Sequence, residues 1–368
     1  AGFKNVLTLD MGGTTAKASI IEGGTFSLAD EYEVGGGMSS SSALVGKGGY
    51  ALKLPVIDIA EVGAGGGSLA WLDGAGSLKI GPESAGANPG PACYSQGNEN
   101  PTVTDANLVL GYLNPEALAA GTVPINKKLA EQAIQKNIAK PMKLDLMETA
   151  YGIHSVANAA MMRAVRAVTT YRGRDPRDFT LFAFGGAGGL HAVDLARVLR
   201  IKEVVVPLAA GVFSAVGLLY SNLEVNETAP LLTLIESVPL DIAEQAYGNL
   251  ENKITEIIGG NKSEIEFTRF ADVRFKGQAY EITVSFENNN VLTRKEFDKL
   301  SNRFEKQHLD RYGHAFSGEF PVELVNLRLV GTKKRKTSAI KQNTEKLEKM
   351  ENSREVYFGP NIGSTNAR

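Results

Sequence analysis

The sequence predicts an α/β fold that is followed by a smaller α+β domain. Two glycine-rich corners indicate the α/β part. An apolar run ends at Asp10 and turns at Gly12-Gly13 into a second, alternating run, and a later apolar run over 180–184 ends in Gly-Gly-Ala-Gly-Gly and opens a helical pattern. Beyond residue 226 the pattern changes to alternating runs between helical segments, which is typical of an α+β domain.

The individual elements follow from hydropathy patterning. Val6–Leu9 is a short apolar strand, and Thr15–Ile21 alternates as a second strand. Apolar residues three and four positions apart predict a long helix over Leu144–Tyr171, which the sequence Arg-Gly-Arg-Asp-Pro ends. The other predicted elements are strands over Thr180–Phe184, Glu203–Pro207, Phe267–Phe275, Ala279–Phe286 and Val322–Val330, a turn over Gly185–Gly189, and helices over Leu190–Leu199, 241–258 and 293–309.

These patterns predict three regions. The first is a lobe over 1–225 with an insertion at about 35–145 that is rich in Gly, Ser, Pro and Asn, which indicates ordered loops and short strands. The second is the α+β domain over 226–332, and the third is a polar linker or tail over 333–368. The apolar run Val204–Tyr220 contains Pro207, Gly211 and Gly217, so it predicts a buried strand, a turn and a small helix rather than a membrane span.

Composition limits the function classes. The formal charge is −2, from 39 Lys and Arg against 41 Asp and Glu, which gives no general attraction to nucleic acid or to an anionic membrane. Cys93 is the single cysteine, so an internal disulfide is excluded and a reducing compartment, the cytoplasm, is expected.

Two of the glycine turns are predicted to bind phosphate. In the first, positive φ at Gly12 and Gly13 would let backbone amides converge on a phosphate, Thr14 and Thr15 would add hydroxyls, and Asp10 would hold Mg²⁺ through water. This turn lacks the Gly-Lys-Ser/Thr of a Walker loop, and a strand follows it instead of a helix.

The second phosphate-type turn joins a buried strand to a helix. The glycines placed against a nucleotide there are Gly185, Gly186 and Gly188. The dinucleotide pattern Gly-x-Gly-x-x-Gly is not met, because His191 occupies its third position. A third glycine turn, over 62–76, is by itself as typical of a loop without a ligand.

A metal site of Cys93, Asp105 and His191 is a further hypothesis, since each side chain is a metal-compatible donor within a motif-like string. The alternative is that they are a buried thiol, a capping carboxylate and a histidine at a helix start. His154 lies within an apolar helical stretch and is interpreted as structural.

The order of these motifs resembles one lobe of the actin, sugar-kinase and heat-shock ATPase fold, which is ribonuclease H-like. Longer strings resemble the hydantoinase A / 5-oxoprolinase family, which includes acetone and acetophenone carboxylase subunits. The strings that carry this resemblance are residues 63–94, 101–113, 172–192, 274–284, 311–316 and 322–329.

The resemblance implies an ATP- and Mg²⁺-dependent hydrolase of cyclic amides or imides, of the N-methylhydantoinase or 5-oxoprolinase type. Such an enzyme activates the substrate oxygen by phosphorylation. Asp10 would be catalytic, Thr14 and Thr15 would contact the γ-phosphate, and a second divalent metal such as Zn²⁺ or Mn²⁺ is a further candidate. The implied partners are a small cyclic amide and a hydantoinase B-like subunit in an oligomer, with no nucleic acid and no membrane.

Relatives of this kind have about twice the length of this chain and begin with another lobe. The resemblance therefore implies a fragment that lacks the N-terminal lobe and the extreme C-terminus, that binds ATP weakly and that is inactive alone.

Three alternative functions are also considered. The first is an ATP-dependent ketone carboxylase subunit of the same family. The second is a non-catalytic actin-like or chaperone-like ATPase module, against which the strings at 62–110 count. The third is a sugar or acetate kinase, against which the domain at 267–330 counts.

Overall fold

The computed structural model describes residues 2–29, 32–34, 50–52, 56–115, 123–287, 292–314, 316, 318–335 and 353–367. It divides into two compact units, one formed by Ala1–Val216 with Gln342–Arg368 and the other by Gly217–Lys341. The first division falls at 216/217, whereas the sequence placed it at 225/226.

The first unit contains most of the strands. They are β1 Val6–Met11, β2 Ala16–Glu22, β3 Thr25–Phe26, β4 Leu28–Ala29, β5 Tyr32–Val34, β6 Tyr50–Leu52, β7 Val56–Ile57, β8 Ile59–Val62, β9 Ser68–Leu72, β10 Leu78–Ser84, β11 Thr180–Phe184 and β12 Val204–Val205. Its helices are α1 Val103–Val109, α2 Lys127–Ile134, α3 Lys140–Met142, α4 Leu146–Val168 and α5 Gly188–Leu199. A π-helical turn over Gln135–Ala139 joins α2 to α3, and α6 Phe213–Tyr220 crosses the division between the units.

The main sheet has the order β12-β11-β1-β2-β3, and β8 also pairs with β2. Strand β1 is antiparallel to β2 and parallel to β11, with Asp10 opposite Phe184. Strand β12 continues the parallel part beside β11. The carboxyl ends of β1 and β11 therefore lie at the same edge of the sheet.

Helix α4 packs the core of this unit against the sheet. Its side chains at three- and four-residue spacing are fully buried, including Ile153, Ala157, Met161 and Val165. Asp145 caps it by accepting from the amides of Met147 and Glu148. The predicted helix is confirmed, with ends two and three residues inside the predicted ones.

The insertion differs from the prediction in its second half. Helices α1 to α3 lie within 103–142, because Thr102 and Asp105 form a capping box that begins α1 and Asn126 caps α2. The glycine-rich parts at 35–49, and residues 53–55 and 116–122, lie outside the described residues.

The predicted strand, turn and small helix of the apolar run 204–220 are confirmed, but the strand is half-buried instead of buried. Val204 and Val205 are half-buried, whereas Leu208 is 74% exposed and no residue of α6 is buried. Val204 packs against the core of the first unit, and Phe213 contacts Phe182 and Phe184, so the run contributes only a few side chains to that unit.

The predicted tail also has regular structure. Strands β17 Arg354–Tyr357 and β18 Ser364–Ala367 form an antiparallel hairpin that belongs to the first unit. The amide of Tyr357 donates to the carbonyl of Leu110 at the end of α1.

In its described residues, the second unit is an antiparallel sheet with two α-helices. The sheet has the order β13-β16-β14-β15. The elements are β13 Leu223–Leu234, β14 Ile265–Phe275, β15 Ile282–Ser285, β16 Val322–Lys333, α7 Leu240–Ile258 and α8 Arg294–Tyr312. The predicted pairing of the runs 267–275 and 279–286 is confirmed in β14 and β15.

Candidate functional site

The first glycine turn is a tight hairpin between β1 and β2. The amide of Gly12 donates to the carbonyl of Thr15 (3.1 Å), which places Gly13 and Thr14 at an exposed tip. Gly12 and Gly13 are not among the glycines with positive φ, so that expectation was wrong. A Cβ on either residue would meet no atom within 4 Å, so these glycines leave open space around the turn.

Asp10 precedes this turn at the carboxyl end of β1. Its side chain is half-buried, and the Ser214 hydroxyl lies 3.3 Å from Oδ2 as a donor. The carboxyl ends of parallel strands are the usual location of ligands in α/β proteins. Asp10 therefore lies where the sequence predicted a catalytic or metal-binding carboxylate.

The second turn lies directly against Asp10. Gly185 has a φ of +82°, and a Cβ there would lie 2.5 Å from Asp10 Oδ1 and closer still to the Met11 carbonyl oxygen. The Ala187 amide donates to that same carbonyl (2.9 Å). The turn is followed by α5, which begins at Gly188, two residues before the predicted start.

The third turn covers the first one. The amides of Gly66 and Gly67 donate to the carbonyls of Gly12 and Gly13, at 2.9 and 2.5 Å. A Cβ on Gly65 would lie 2.5 Å from the backbone of Thr14. The turn that the sequence alone left without a role is therefore packed on the predicted phosphate turn, and glycine is required there for the close approach of two backbones.

Together the three turns form one site at the sheet edge. It contains a half-buried carboxylate, exposed or half-exposed threonine hydroxyls at Thr14 and Thr15, and the N-terminus of a twelve-residue helix. A helix N-terminus favours anions through its amides and its dipole. The arrangement suits a phosphate group whose charge is shared with a cation at Asp10.

The structure does not bring Cys93, Asp105 and His191 together as metal ligands. Within the described ranges, no group of three His, Cys, Asp or Glu side chains is placed to hold a metal. Asp105 is fully buried and accepts from the amides of Ala92, Cys93 and Thr102 and from the Thr102 hydroxyl, at 2.8 to 3.1 Å. Burial, and then the neighbouring Asp105, raises the pKa of the Cys93 thiol, which disfavours the thiolate that metals bind.

His191 instead belongs to a buried chain of amides and imidazoles. Its Nδ1 lies 2.7 Å from Asn158 Oδ1, and its Nε2 lies 3.2 Å from Asn107 Nδ2. The Asn107 oxygen lies 2.8 Å from Nδ1 of His154, whose Nε2 is 3.1 Å from Asp194 Oδ2. The two imidazoles stack with centroids 4.3 Å apart, and both are fully buried. Burial, and next the neighbouring His154, holds the pKa of His191 well below its ordinary value.

Sequence reasoning treated His154 as an isolated structural residue and missed this network. Helical spacing carried the available signal. His154 and Asn158 are four residues apart on α4, and His191 and Asp194 are three apart on α5, so each pair shares a helix face. Their meeting depends on the packing of α4 against α5, which spacing within one helix does not specify.

Comparison with known proteins identifies the family. The hydantoinase/oxoprolinase family model matches residues 1–227. The chain belongs to the hydantoinase/oxoprolinase family. The caprolactamase subunit alpha of Pseudomonas jessenii is 36% identical over 332 residues, which are 89% of this chain and 46% of that protein.

Solved structures of two family relatives have a matching mixed α/β fold. The ATP-dependent caprolactamase from Pseudomonas jessenii matches with a TM-score of 0.64 and 35% identity, over 90% of this chain and 47% of that one. A nucleotide-free acetone carboxylase matches in fold with a TM-score of 0.71 and 24% identity, over 91% of this chain and 47% of that one. The chain thus spans about half the length of the relatives it matches. No helix within the described residues is long and apolar enough to span a membrane.

Proposed function

We propose that this chain supplies the nucleotide-binding lobe of an ATP-dependent hydrolase of cyclic amides or imides, acting in the cytoplasm with a hydantoinase B-like subunit. The convergence of three glycine turns beside Asp10 carries the proposal. Family membership supports it, because named relatives include an ATP-dependent caprolactamase and a 5-oxoprolinase. We assign ATP to the predicted lobe 1–225 and propose the domain 226–332 as a separate functional part.

The sheet order supports an actin-like, ribonuclease H-like lobe. Three strands that follow one another by hairpins, β1 to β3, continue through β1 into the parallel strands β11 and β12. The phosphate turn of that architecture lies between its first two strands, which is the position of Gly12 and Gly13 here.

The residues at this edge fit a magnesium–phosphate group. Mg²⁺ is commonly held by one or two carboxylates with water and phosphate oxygens, and the half-buried Asp10 carboxylate is open to such an ion. When bound, Mg²⁺ supplies charge neutralisation on the transferring phosphoryl group. Ser214 orients the carboxylate through its hydroxyl, and Thr14 and Thr15 offer hydroxyl donors to the phosphate.

Substrate activation then follows from positioning. Phosphorylation of an amide oxygen converts a poor leaving group into a phosphate, and this transfer depends on alignment and charge stabilisation. Gly185, Gly186 and Gly188 hold the start of α5 against the nucleotide side of the site, while the Asp10 carboxylate stays beside the turn.

The test is substrate-stimulated phosphate release by the full-length protein with its partner subunit. We expect lactams or hydantoins to stimulate release, and Asp10→Asn to lower the stimulated rate by about 100-fold or more, as expected for loss of a charged transition-state group. Asp178→Asn, at an exposed carboxylate of the same unit, is the matched control and keeps the rate.

Three outcomes would replace the proposal. Stimulation by ketones only with bicarbonate would assign the chain to the carboxylases. Stimulation by a sugar or by a peptide, with none by lactams, would point to a kinase or to a chaperone-like module.

A further inference from the structure

A pocket of about 480 Å³ lies between α4, α5 and the hairpin of β17 and β18, away from the glycine turns. Helix α4 contributes Tyr151 and Asn158, α5 contributes Asp194 and Arg197, and the hairpin turn contributes Phe358 and Ile362. This volume lies in the range of small-molecule sites. Its walls come from three segments that are distant in sequence.

The hairpin wall is fixed in place by close backbone contacts. Gly359 has a φ of +89°, and a Cβ there would lie 2.5 Å from Cζ of Tyr151, so the hairpin turn lies directly on that ring. Arg354 Nε donates to the carbonyl of Gly111 at 2.7 Å. The hairpin wall is therefore held against α4 and against the end of α1.

Asp194, the acidic residue of the pocket, already has a hydrogen-bond partner in the buried His154. Asp194 Oδ2 lies 3.1 Å from His154 Nε2, and the hydrogen bond from His154 lowers the pKa of Asp194. The other nitrogen of His154 lies 2.8 Å from the Asn107 oxygen, and Arg197 Nη1 lies 3.5 Å from Asp194 Oδ1. Each carboxylate oxygen of Asp194 therefore already faces a partner within the protein.

Two side chains of the pocket, Arg197 and Asn158, can donate hydrogen bonds to a ligand. The Arg197 side chain is 61% exposed and approaches Asp194 Oδ1 at only 3.5 Å with one nitrogen, which leaves the rest of its guanidinium toward solvent and pocket. The oxygen of Asn158 accepts from His191, so its Nδ2 group is the half of the amide available as a donor. The remaining lining is largely apolar and includes Met162, Leu195, Val198, Phe358 and Ile362.

From these observations we propose that the pocket binds a small carboxylate with an apolar body, with the carboxylate on Arg197 and Asn158 and the apolar body on Phe358 and Ile362. Arg binds carboxylates through paired N–H donors, so a carboxylate is favoured over an alcohol of the same shape. The inference does not depend on the proposed function.

The experiment is calorimetric titration of the protein with hexanoate, hexan-1-ol and hexylamine. Hexanoate should bind saturably with one site, and hexan-1-ol and hexylamine at least tenfold more weakly. Arg197→Gln should weaken hexanoate binding at least tenfold. Arg200→Gln, at an exposed arginine just beyond α5 that does not line the pocket, should leave it unchanged.

A second variant addresses the apolar wall without touching the charges. Ile362→Asn, at a residue that is 54% exposed, replaces an apolar side chain by an uncharged polar one and should weaken hexanoate binding at least tenfold while circular dichroism stays as in the wild type. Equal binding of hexylamine and hexanoate, equal effects of the two arginine variants, or non-saturable heats for all three probes would each overturn the proposal. Because no nucleotide is present in this titration, its failure is distinct from failure of the ATPase assay.

Discussion

Replacing Gly185 by alanine tests whether the second glycine turn needs glycine for its own backbone conformation, independently of any ligand. At a φ of +82° an L-residue costs about 1–2 kcal/mol relative to glycine. The new Cβ would also intrude on the Met11 carbonyl and on Asp10 Oδ1, and such overpacking typically costs about 1–3 kcal/mol. We therefore expect Gly185→Ala to lower the free energy of unfolding by about 2–5 kcal/mol.

Urea unfolding followed by tryptophan fluorescence measures this change in the relevant unit. Trp71 is the single tryptophan of the chain, lies in the first unit and is held by its Nε1 donating to the Gly81 carbonyl at 2.9 Å. Its signal therefore reports the unfolding of the unit that contains Gly185. The midpoint should fall with little change in the slope of the transition.

Gly186→Ala is the matched control, because Gly186 is the next residue of the same turn. Its φ is not positive, and an added Cβ there would meet no atom within 4 Å. We expect its free energy of unfolding to stay within about 0.5 kcal/mol of the wild type. Equal stability losses in the two variants would refute the inference that the φ and the close contacts of Gly185 require glycine there.

Three further outcomes are expected from single substitutions. Gly13→Ala should leave the urea midpoint unchanged, because the added Cβ meets no neighbouring atom. It should weaken ATP binding in calorimetry at least tenfold, because its methyl group occupies the open space of the turn. Unchanged affinity would count against phosphate binding at this turn. Asp105→Asn should lower the free energy of unfolding by about 2–4 kcal/mol, since the buried amides of Cys93 and Thr102 lose a carboxylate acceptor. A loss below about 1 kcal/mol would contradict the capping role of Asp105. In the wild type, the His191 imidazole gains a proton below about pH 6.5 in the unfolded state, whereas the buried imidazole of the folded state stays neutral. The free energy of unfolding should therefore be highest above that pH and fall by about 1.4 kcal/mol from pH 7.5 to 5.5 through this group. His191→Gln removes the group and should flatten this pH dependence. Equal slopes in wild type and variant over that range would exclude this assignment.

Much of the fold could be predicted from local pattern. The strand before Asp10, the strand and turn before α5, the long helix α4 and the pair β14 and β15 each follow from periodicity and from glycine position, and the structure has them within a few residues. Local pattern predicted the strand, turn and helix of the run 204–220 but overestimated the burial of its strand. Hydropathy measures the tendency to be buried, but burial also requires a surface to pack on.

The site was predicted in part for a related reason. Asp10 and the turns at 12–15 and 185–188 could be found because each carries its own signal of strand end and glycine. The role of Gly65 to Gly67 could not be found from the sequence. A glycine-rich loop indicates that another backbone lies close, but the sequence does not identify that backbone. The network around His191 depends on packing between helices, and the metal hypothesis failed because one-dimensional order does not distinguish a capping carboxylate from a ligand.

The third glycine turn restrains the predicted phosphate turn. A two-residue hairpin tip is ordinarily free to move, because only its flanking ladder is hydrogen-bonded. Here the carbonyls of Gly12 and Gly13 are fixed by the amides of Gly66 and Gly67, and Thr104 in turn donates to the carbonyl of Gly66 at 2.7 Å through its amide. The tip is therefore attached to α1, while a Cβ at Gly12 or at Gly13 would still meet no atom within 4 Å. Since a preorganised turn does not have to be ordered on binding, Gly66 and Gly67 would lower the entropy cost of the phosphate binding proposed for this turn.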